Sequence, residues 1–284
     1  MRLGTLRVAA GTTAVRIDDD VAVEIAGAVD VGALLADPGW RARATHAAGD
    51  AHPMEAIAPT DWAPTVLAPA KIVCVGLNYA SHIREMGRQL PEHPTLFAKY
   101  PEALIGPYDD LVLPPEAPDA VDWEGELAVV VGSTARRVAG EAARAAIAGY
   151  CVINDVTMRD LQYRTPQWLQ GKTVEATTPL GPWLTTDLDL TGELTTAVDG
   201  EVVQRARLDD LVFGPAALVA YISSILTLRP GDVIATGTPG GVGHARKPPR
   251  YLRPGSTLTT SIEGIGAISS RVVAPGAVAE VAEA

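Results

Sequence analysis

The sequence predicts an α+β fold rich in strands, with a small β-rich N-terminal domain ahead of a larger one. Composition is the first reason, because 27 glycines and 22 prolines among 284 residues favour many turns over long helices. The second is that the apolar runs are short and stop at a glycine or a carboxylate, which is typical of buried strands. The third is a proline-punctuated stretch over residues 53–69 that has the character of a linker. We therefore predict one domain over residues 1–68 and a main domain over residues 69–284.

Composition and charge also argue against several classes of protein. The formal net charge of −11, with no Lys/Arg cluster to offset it, disfavours a nucleic-acid partner, because phosphate binding requires a basic face. No run reaches the ~20 apolar residues of a membrane span, and the N-terminus alternates like a strand instead of resembling a secretion signal. Cys74 and Cys151 each lie in an apolar run without CxxC or Cys/His spacing, so we expect buried thiols in a reducing compartment. The sequence thus predicts a cytoplasmic protein.

The N-terminal domain begins with two strand-like segments. Residues 3–8 and 13–17 flank Gly11 and predict a hairpin. A short helix is predicted near residues 31–35. We find no catalytic pattern in this part of the chain.

The main domain opens with a buried strand over residues 72–76, followed by a short helix that Gly87 ends. His82 and Glu85 are three positions apart on this helix, so they share a face and the carboxylate can orient and polarise the imidazole. A pair at this spacing is also common as a plain surface contact. Its position just after a strand end favours function, because open sites in α/β proteins gather there.

The main domain is organised around the stretch of residues 121–131. Glu124 and Glu126 open a strand, so both side chains project from one face, while Gly125 leaves the other face free for close packing. Two carboxylates held that close need a cation, a shared proton or bulk water. A second apolar run ends at Asp155, and three hard oxygen donors at strand ends indicate a divalent-cation site.

Two segments and one isolated lysine accompany these carboxylates along the chain. A short run over residues 95–98 ends at Lys99. An Ala-rich amphipathic helix is predicted over residues 138–148. Lys172 lies further on, among apolar and threonine residues, and by itself it proves nothing.

A polar pattern follows the second acidic strand. Asp155, Arg159 and Gln162 recur at i, i+4 and i+7, which predicts that one helical face carries all three. An acid, a guanidinium and an amide on one face form either a wall for an anion and a metal or a solvated polar surface. The pattern alone leaves both interpretations open.

The C-terminal third alternates turns with short regular elements. Asp199-Gly200 between strand-like arms predicts a type I′ hairpin. Pro215 takes the first-turn position of a helix that extends to about residue 226. Residues 256–273 predict a final pair of strands.

A glycine-rich loop over residues 237–243 follows the last buried strand of this region. It is neither a Walker A motif nor a dinucleotide fingerprint, since no Lys-Ser/Thr follows and the glycine spacing differs. Its backbone N–H groups and the Thr238 hydroxyl can hold a carboxylate or a developing oxyanion.

Taken together, these segments resemble the fumarylacetoacetate hydrolase family over residues 70–273. The pieces occur in the order of that family, and five of them in sequence are a specific signal. They are the strand exit Gly76-Leu77-Asn78-Tyr79 with His82 and Glu85, the Glu124-Gly125-Glu126 pair, Asn154-Asp155 with Arg159-Asp160 and Gln162, Lys172, and Thr236-Gly237-Thr238-Pro239. The resemblance implies a mixed β-roll catalytic domain, with the N-terminal domain as a cap, and a homodimer.

The resemblance also implies roles for individual residues. Glu124, Glu126 and Asp155 are expected to hold Mg²⁺ or Mn²⁺. Lys172 is expected beside them as a catalytic residue, and His82 and Glu85 on a segment that orders over the bound ligand. The residues expected to contact substrate are Lys99, Arg159, Gln162 and Thr238. Separately from the resemblance, position alone predicts that three residues just after the helix influence acyl specificity: Met86, Arg88 and Gln89.

The predicted function is the metal-dependent hydrolysis of a C–C bond in a 2,4-dioxo acid such as an acylpyruvate or fumarylpyruvate. Glu85 orients His82, which takes a proton from water; hydroxide adds to the distal carbonyl, and the C–C bond breaks to give the enolate of pyruvate. The metal and Lys172 stabilise the enolate charge.

Other functions remain open at the same site. Within the family, a β-keto acid such as oxaloacetate could be decarboxylated, or an unsaturated 2-oxo acid isomerised. Outside it, the chain could be a non-catalytic small-molecule binding protein with a structural cation, or a nucleotide-dependent enzyme built on the glycine loop. The retention of His82, Lys172 and Arg159 around the acidic triad favours catalysis.

Overall fold

The structure is a computed structural model that describes residues 1–85 and 87–276. It confirms the predicted α+β class, because strands dominate and the helices are few and short. Met86 lies outside the described residues, so its expected influence on specificity stays a prediction. No helix within the described ranges is long and apolar enough to cross a membrane.

The first part of the chain forms four strands and two helices: β1 (Arg2–Val8), β2 (Gly11–Ile17), β3 (Val21–Glu24), α1 (Val31–Leu35), α2 (Trp40–Thr45) and β4 (Ala51–Pro53). The predicted hairpin is confirmed, since β1 and β2 pair antiparallel along their whole length. The predicted helix α1 is also confirmed, and it begins after Asp30, whose side chain accepts a hydrogen bond from the Ala33 N–H.

The middle of the chain carries the acidic strands. Its elements are β5 (Ile72–Gly76), α3 (Ala80–Glu85), β6 (Thr95–Lys99), β7 (Leu104–Ile105), β8 (Leu111–Val112), β9 (Val121–Asp122), β10 (Gly125–Val131), α4 (Gly140–Ala145), β11 (Ile147–Asn154) and β12 (Thr157–Met158). Gly87 follows α3 with φ of +68°, as expected of a glycine that ends a helix.

The last part of the chain combines short helices with a second group of strands. Its elements are α5 (Arg159–Gln162), α6 (Leu169–Lys172), β13 (Thr178–Thr185), β14 (Glu193–Val198), β15 (Glu201–Arg207), α7 (Pro215–Ile225), β16 (Val233–Ala235), β17 (Thr257–Ile262) and β18 (Gly266–Val273). The predicted hairpin turn is confirmed, with φ of +54° at Asp199 and +81° at Gly200.

Two predicted helical segments were wrong in extent. The helix expected over residues 138–148 covers only Gly140–Ala145, because Ile147 already begins β11, whose apolar side chains fill the core. Asp155 does not share a helix with Arg159 and Gln162, because β12 intervenes and α5 begins at Arg159. The i, i+4, i+7 spacing was therefore coincidental. Arg159 bonds to Gln162, but it is linked to Asp155 only through Glu124 and Lys172.

The central sheet has eleven strands in the described residues. Ten of them follow the order β4-β3-β2-β1-β13-β11-β10-β16-β5-β6, and β7 adds to β13. The sheet is mixed, since β16 runs parallel to β5 while β10 and β11 are antiparallel. β1 pairs with β13, which joins the N-terminal strands to the sheet of the main domain. The predicted division at residue 68 stays a prediction.

Helices and a second sheet cover the central one. On one side, α4 and α7 pack over apolar residues of β5, β10 and β16. The five-stranded sheet, in the order β15-β14-β17-β18-β8, shares apolar clusters with β10 and β11. Cys74 and Cys151 are free and buried in the core, as predicted. The ends of β10 and β11 therefore lie inside the molecule, where they position the acidic residues.

Candidate metal centre and active site

Three carboxylates converge at the ends of the two central strands. Glu124 precedes β10, Glu126 lies within it and Asp155 follows β11, and one oxygen of each lies within 4.8 Å of the others. The antiparallel register explains this, because Gly125 pairs with Asn154. All three side chains are buried. The structure thus brings together the three residues predicted to bind metal.

Gly125 allows the second sheet to approach these strands. A Cβ at this position would overlap Thr196 Oγ1 and lie 2.9 Å from a methyl carbon of Thr260, both on strands of the five-stranded sheet. The Gly125 N–H donates a hydrogen bond of 3.0 Å to Gln204 Oε1. The glycine between the two glutamates is therefore required by close packing, as the sequence predicted.

Two buried lysines neutralise part of the acidic charge. Lys172 Nζ donates to Glu124 Oε2 at 2.6 Å and to Asp155 Oδ2 at 2.7 Å, and Lys99 Nζ donates to Asp155 Oδ1 at 2.7 Å. Burial alone would raise the pKa of Asp155, but Lys172 and Lys99 lower it below its ordinary value. Burial would lower the pKa of Lys172, but Asp155 and Glu124 raise it above the ordinary value. Asp155 is thus an anion and Lys172 a cation at neutral pH.

Glu126 differs from the other two carboxylates because no lysine or arginine pairs with it in the described residues. It accepts a hydrogen bond of 2.7 Å from the Gly237 N–H, and no ion pair of the described residues includes it. Burial, followed by the charges of Asp155 and Glu124, raises the pKa of Glu126 well above its usual range. A divalent cation among the three carboxylates would remove this penalty, and hard oxygen donors suit Mg²⁺ or Mn²⁺. The residues present therefore fit such an ion.

Arg159 is a third buried cation, and it links Glu124 to Asp122 and Gln162. Its Nε donates to Asp122 Oδ2 at 2.8 Å, a second nitrogen lies 2.7 Å from Glu124 Oε1, and a third donates to Gln162 Oε1 at 2.9 Å. Burial would lower the pKa of Arg159, but Glu124 and Asp122 raise it. Gln162 was predicted to contact substrate, and in the structure its Oε1 accepts from Arg159.

Asp122 is a residue of this site that the sequence analysis did not single out. Besides Arg159, its carboxylate accepts hydrogen bonds from three backbone N–H groups, those of Trp123, Gly243 and His244. It is fully buried. One feature of the sequence could have identified Asp122, namely its position two residues before Glu124 in the central acidic stretch. Its hydrogen-bond donors, however, lie up to 122 residues away in the chain.

The glycine-rich loop faces this cluster with its backbone. Gly237, with φ of +101°, directs its N–H to Glu126 instead of leaving it free for an anion. Thr238 Oγ1 donates to the Gly125 carbonyl at 3.0 Å and accepts from Gln204 Nε2 at 2.8 Å. The loop thus holds a carboxylate, as expected of its chemistry, but that carboxylate belongs to the protein.

A cavity of about 410 Å³ lies over the carboxylates. The predicted site residues that line it are His82, Glu124, Glu126, Arg159, Gln162, Lys172 and Thr238. Lys99, predicted to contact substrate, does not line it; this lysine is fully buried behind Asp155 and also donates to the Val156 carbonyl. Glu85 and Asp155 are also absent from its walls. Lining residues without a predicted role include Phe97, Tyr163, Trp168 and His244.

His82 and Glu85 both lie against the glycine loop, but no hydrogen bond or ion pair joins them within the described residues, so the predicted orientation of His82 by Glu85 through a direct contact is not seen. A Cβ on Gly240 would be 2.9 Å from His82 Nδ1 and 3.6 Å from Glu85 Oε2. Burial lowers the pKa of His82 below its ordinary value. The negative charges of Glu85 and Glu124 offset only part of this shift. The imidazole is therefore neutral at pH 7 and can accept a proton.

Comparison with known proteins assigns this arrangement to a family. The profile of the fumarylacetoacetate (FAA) hydrolase C-terminal family matches residues 71–273. A mitochondrial oxaloacetate tautomerase from Rattus norvegicus is 42% identical over 213 residues, which are 73% of this chain and 68% of that protein.

Two solved structures share the fold over nearly the whole chain. The 5-carboxymethyl-2-hydroxymuconate delta-isomerase from Mycobacterium smegmatis has a TM-score of 0.81 and 37% identity, covering 97% of this chain and 100% of its own. The fumarylacetoacetate hydrolase from Exiguobacterium antarcticum has a TM-score of 0.85 and 31% identity, covering 96% and 99%. The members named here are enzymes that act on small organic acids.

Proposed function

The chain belongs to the fumarylacetoacetate hydrolase family, and from that premise we propose that it is a divalent-metal-dependent enzyme that enolises a small 2-oxo acid. The observation that carries the proposal is the buried triad of Glu124, Glu126 and Asp155 beneath a cavity that also exposes Lys172 and His82. Keto–enol interconversion of oxaloacetate is the reaction we would test first, because a relative with 42% identity is an oxaloacetate tautomerase.

Enolisation requires a base for carbon and a positive charge for oxygen. Bound Mg²⁺ or Mn²⁺ would polarise the 2-oxo group of the substrate as a Lewis acid. Lys172, held as a cation by Glu124 and Asp155, supports the negative charge that develops on the C2 oxygen. The neutral imidazole of His82 takes a proton from C3 and returns it to that oxygen, which converts the keto acid to its enol.

C–C hydrolysis of a 2,4-dioxo acid, the function predicted from the sequence, is the second candidate. The observation in its favour is that the charge of Glu85 reaches His82 and offsets part of the lowering of its pKa, which makes the imidazole a stronger base for the activation of water. One of the structural relatives is also a fumarylacetoacetate hydrolase. Decarboxylation of oxaloacetate is a third outcome at the same site.

One experiment separates these reactions. EDTA-treated protein is mixed with oxaloacetate or a short acylpyruvate, Mg²⁺ or Mn²⁺ is added back, enol absorbance is followed, and products are identified by proton NMR. Faster enol–keto exchange with oxaloacetate conserved supports tautomerisation, whereas pyruvate from oxaloacetate indicates decarboxylation. Pyruvate plus a second acid from the acylpyruvate indicates hydrolysis. A Glu126→Gln variant serves as the control, and no metal-dependent change with either acid would reject the proposal.

The remaining sequence-based expectations are proposals that need their own measurements. Light scattering of the purified protein tests the expected homodimer. Metal titration of the EDTA-treated protein distinguishes Mg²⁺ from Mn²⁺ by affinity. The cytoplasmic location requires localisation of the protein in its own cell.

A further inference from the structure

The charges of the cavity are divided between an inner part and a mouth. The buried inner groups are the carboxylates Asp122, Glu124, Glu126 and Asp155 and the cations Lys99, Arg159 and Lys172. Four carboxylates and three cations leave one negative charge. A divalent cation reverses it to one positive charge, which a single substrate carboxylate neutralises. A 2-oxo acid with a single carboxylate is therefore enough to neutralise the charge of the inner site.

Arg88 adds a positive charge that this balance does not require. It lies just beyond α3, lines the cavity and is exposed. Within the described part of the chain, its guanidinium has no carboxylate partner, whereas Arg159 has two. Its charge also reaches the imidazole of His82, whose pKa it lowers. Other exposed arginines, such as Arg84, also have no carboxylate partner among the described residues, but Arg88 lines the cavity, where its guanidinium can bind a ligand anion.

The nearest carboxylate along the chain does not satisfy Arg88. Glu85 is three residues earlier, but its Oε2 lies beside Gly240 and forms no ion pair with Arg88. A second polar group, His244, lines the same cavity. The hydroxyl of Tyr251 fixes its ring, with 2.9 Å between that oxygen and Nδ1, and its backbone N–H donates to Asp122. Its remaining ring nitrogen is therefore available at the mouth.

We propose that Arg88, assisted by His244, forms a distal subsite for a second carboxylate, so that the preferred substrates are dicarboxylic 2-oxo acids. The inference rests on the proposed function for the identity of the 2-oxo group and deepens it by defining the other end of the substrate. A guanidinium binds a carboxylate through two parallel hydrogen bonds, which neither lysine nor alanine reproduces.

The test compares two ligands that differ only at the distal end. 2-Oxoglutarate carries a carboxylate where 2-oxopentanoate carries a methyl group. Dissociation constants are measured by calorimetry at saturating Mg²⁺ for the wild type, Arg88→Ala, Arg88→Lys and Arg84→Ala. Arg84 is the matched control, because it is an exposed arginine of α3 that does not line the cavity.

We expect Arg88→Ala to weaken 2-oxoglutarate binding about 10- to 100-fold, the usual range for a hydrogen bond to a charged group. Binding of 2-oxopentanoate should change less than about 2-fold, and Arg88→Lys should recover part of the loss. Replacement of Arg84 should affect neither ligand, and His244→Phe should give a smaller loss confined to 2-oxoglutarate. Equal losses for both ligands, or equal effects of the Arg88 and Arg84 variants, would overturn the subsite.

The binding measurement separates this inference from the proposed function. If the wild type discriminates the two ligands through Arg88 but leaves oxaloacetate unchanged, the subsite stands and the enolisation fails. If oxaloacetate is enolised normally and Arg88→Ala binds 2-oxoglutarate as the wild type does, the subsite is wrong and the enolisation stands. The KM for oxaloacetate in Arg88→Ala gives an independent reading, since loss of a distal contact raises KM more than it lowers kcat.

Discussion

The inner charge network and the cavity mouth differ in how completely their polar groups are satisfied. The inner network consists of Lys99, Asp122, Glu124, Glu126, Asp155, Arg159 and Lys172, all buried at strand ends or beside them. The mouth consists of His82, Arg88, Tyr163 and His244, which lie on short helices or loops. In the network, Lys172 bridges two carboxylates, while Tyr163 at the mouth is 58% exposed.

In the proposed function, this difference separates the residues that would hold the metal from the residues that would select the substrate. Buried charges are stable only when each one is paired, so a change in the network affects folding and metal binding together. Groups at the mouth have few protein partners, so their replacement affects ligands more than stability. Glu126 is the exception within the network, because its partner is a backbone N–H and the expected cation.

Glu126→Gln should produce the largest effect. It should weaken metal binding while it stabilises the metal-free protein. Metal binding should weaken at least about 100-fold, because even the partner of a ligand typically contributes 10- to 100-fold, and turnover should be lost with it. The metal-free protein should become more stable at pH 8, since the raised pKa of Glu126 means that ionisation in the unfolded state opposes folding as pH rises. Calorimetric metal titration and thermal unfolding measure both. Equal destabilisation with and without metal would contradict the assignment.

His82→Ala should reduce kcat/KM about 10²- to 10⁴-fold, the usual contribution of a general base. Metal affinity should stay near that of the wild type, because His82 makes no hydrogen bond to the carboxylates in the described residues. Steady-state kinetics at saturating Mg²⁺ and the metal titration provide the two readings. Wild-type activity in this variant would exclude the imidazole as the base and transfer that role to another group.

Lys172→Met should destabilise the metal-free protein by about 3–5 kcal/mol, because it leaves Glu124 and Asp155 buried without their shared cation. Saturating Mg²⁺ should restore part of the loss by supplying positive charge at the same place. The control is Arg271→Met, which removes a cation from an exposed ion pair with Asp110 and should destabilise the protein far less, because solvent screens an exposed pair. Urea unfolding with and without metal distinguishes the two, and equal costs would show that burial of the pair is unimportant.

The pH dependence of kcat/KM should show the smallest effect, and it reports on His82 at the cavity mouth. Burial lowers the pKa of His82, so the basic form persists below pH 6.5 and the acid limb of kcat/KM should fall below that value. Glu85 partly opposes this shift, so Glu85→Gln should move the limb to still lower pH while reducing the rate. The profiles are measured at saturating metal, to keep protonation of the carboxylates from dominating. A limb that moves upward would exclude an interaction between Glu85 and His82.

The sequence by itself determined many of the strands and turns and the three carboxylates predicted to bind metal. The alternation of a strand places Glu124 and Glu126 together, and a run that ends at Asp155 supplies the third carboxylate from the neighbouring strand. Asp199-Gly200 and Pro215 defined a hairpin and a helix start because their backbone preferences are local. These features depend on contacts between neighbours in sequence or on strand period, which can be read without the fold.

Tertiary structure alone decided the partners of the buried charges. Asp122 accepts hydrogen bonds from a loop about 120 residues away, and Lys99 reaches Asp155 from the edge strand of the sheet. The helical spacing of Asp155 and Arg159 misled because β12 interrupts it, and only packing brings these side chains into one network. Residue type and spacing predict which groups need a partner. Which partner each one finds depends on how the sheets pack, and this is not encoded in any short segment of the chain.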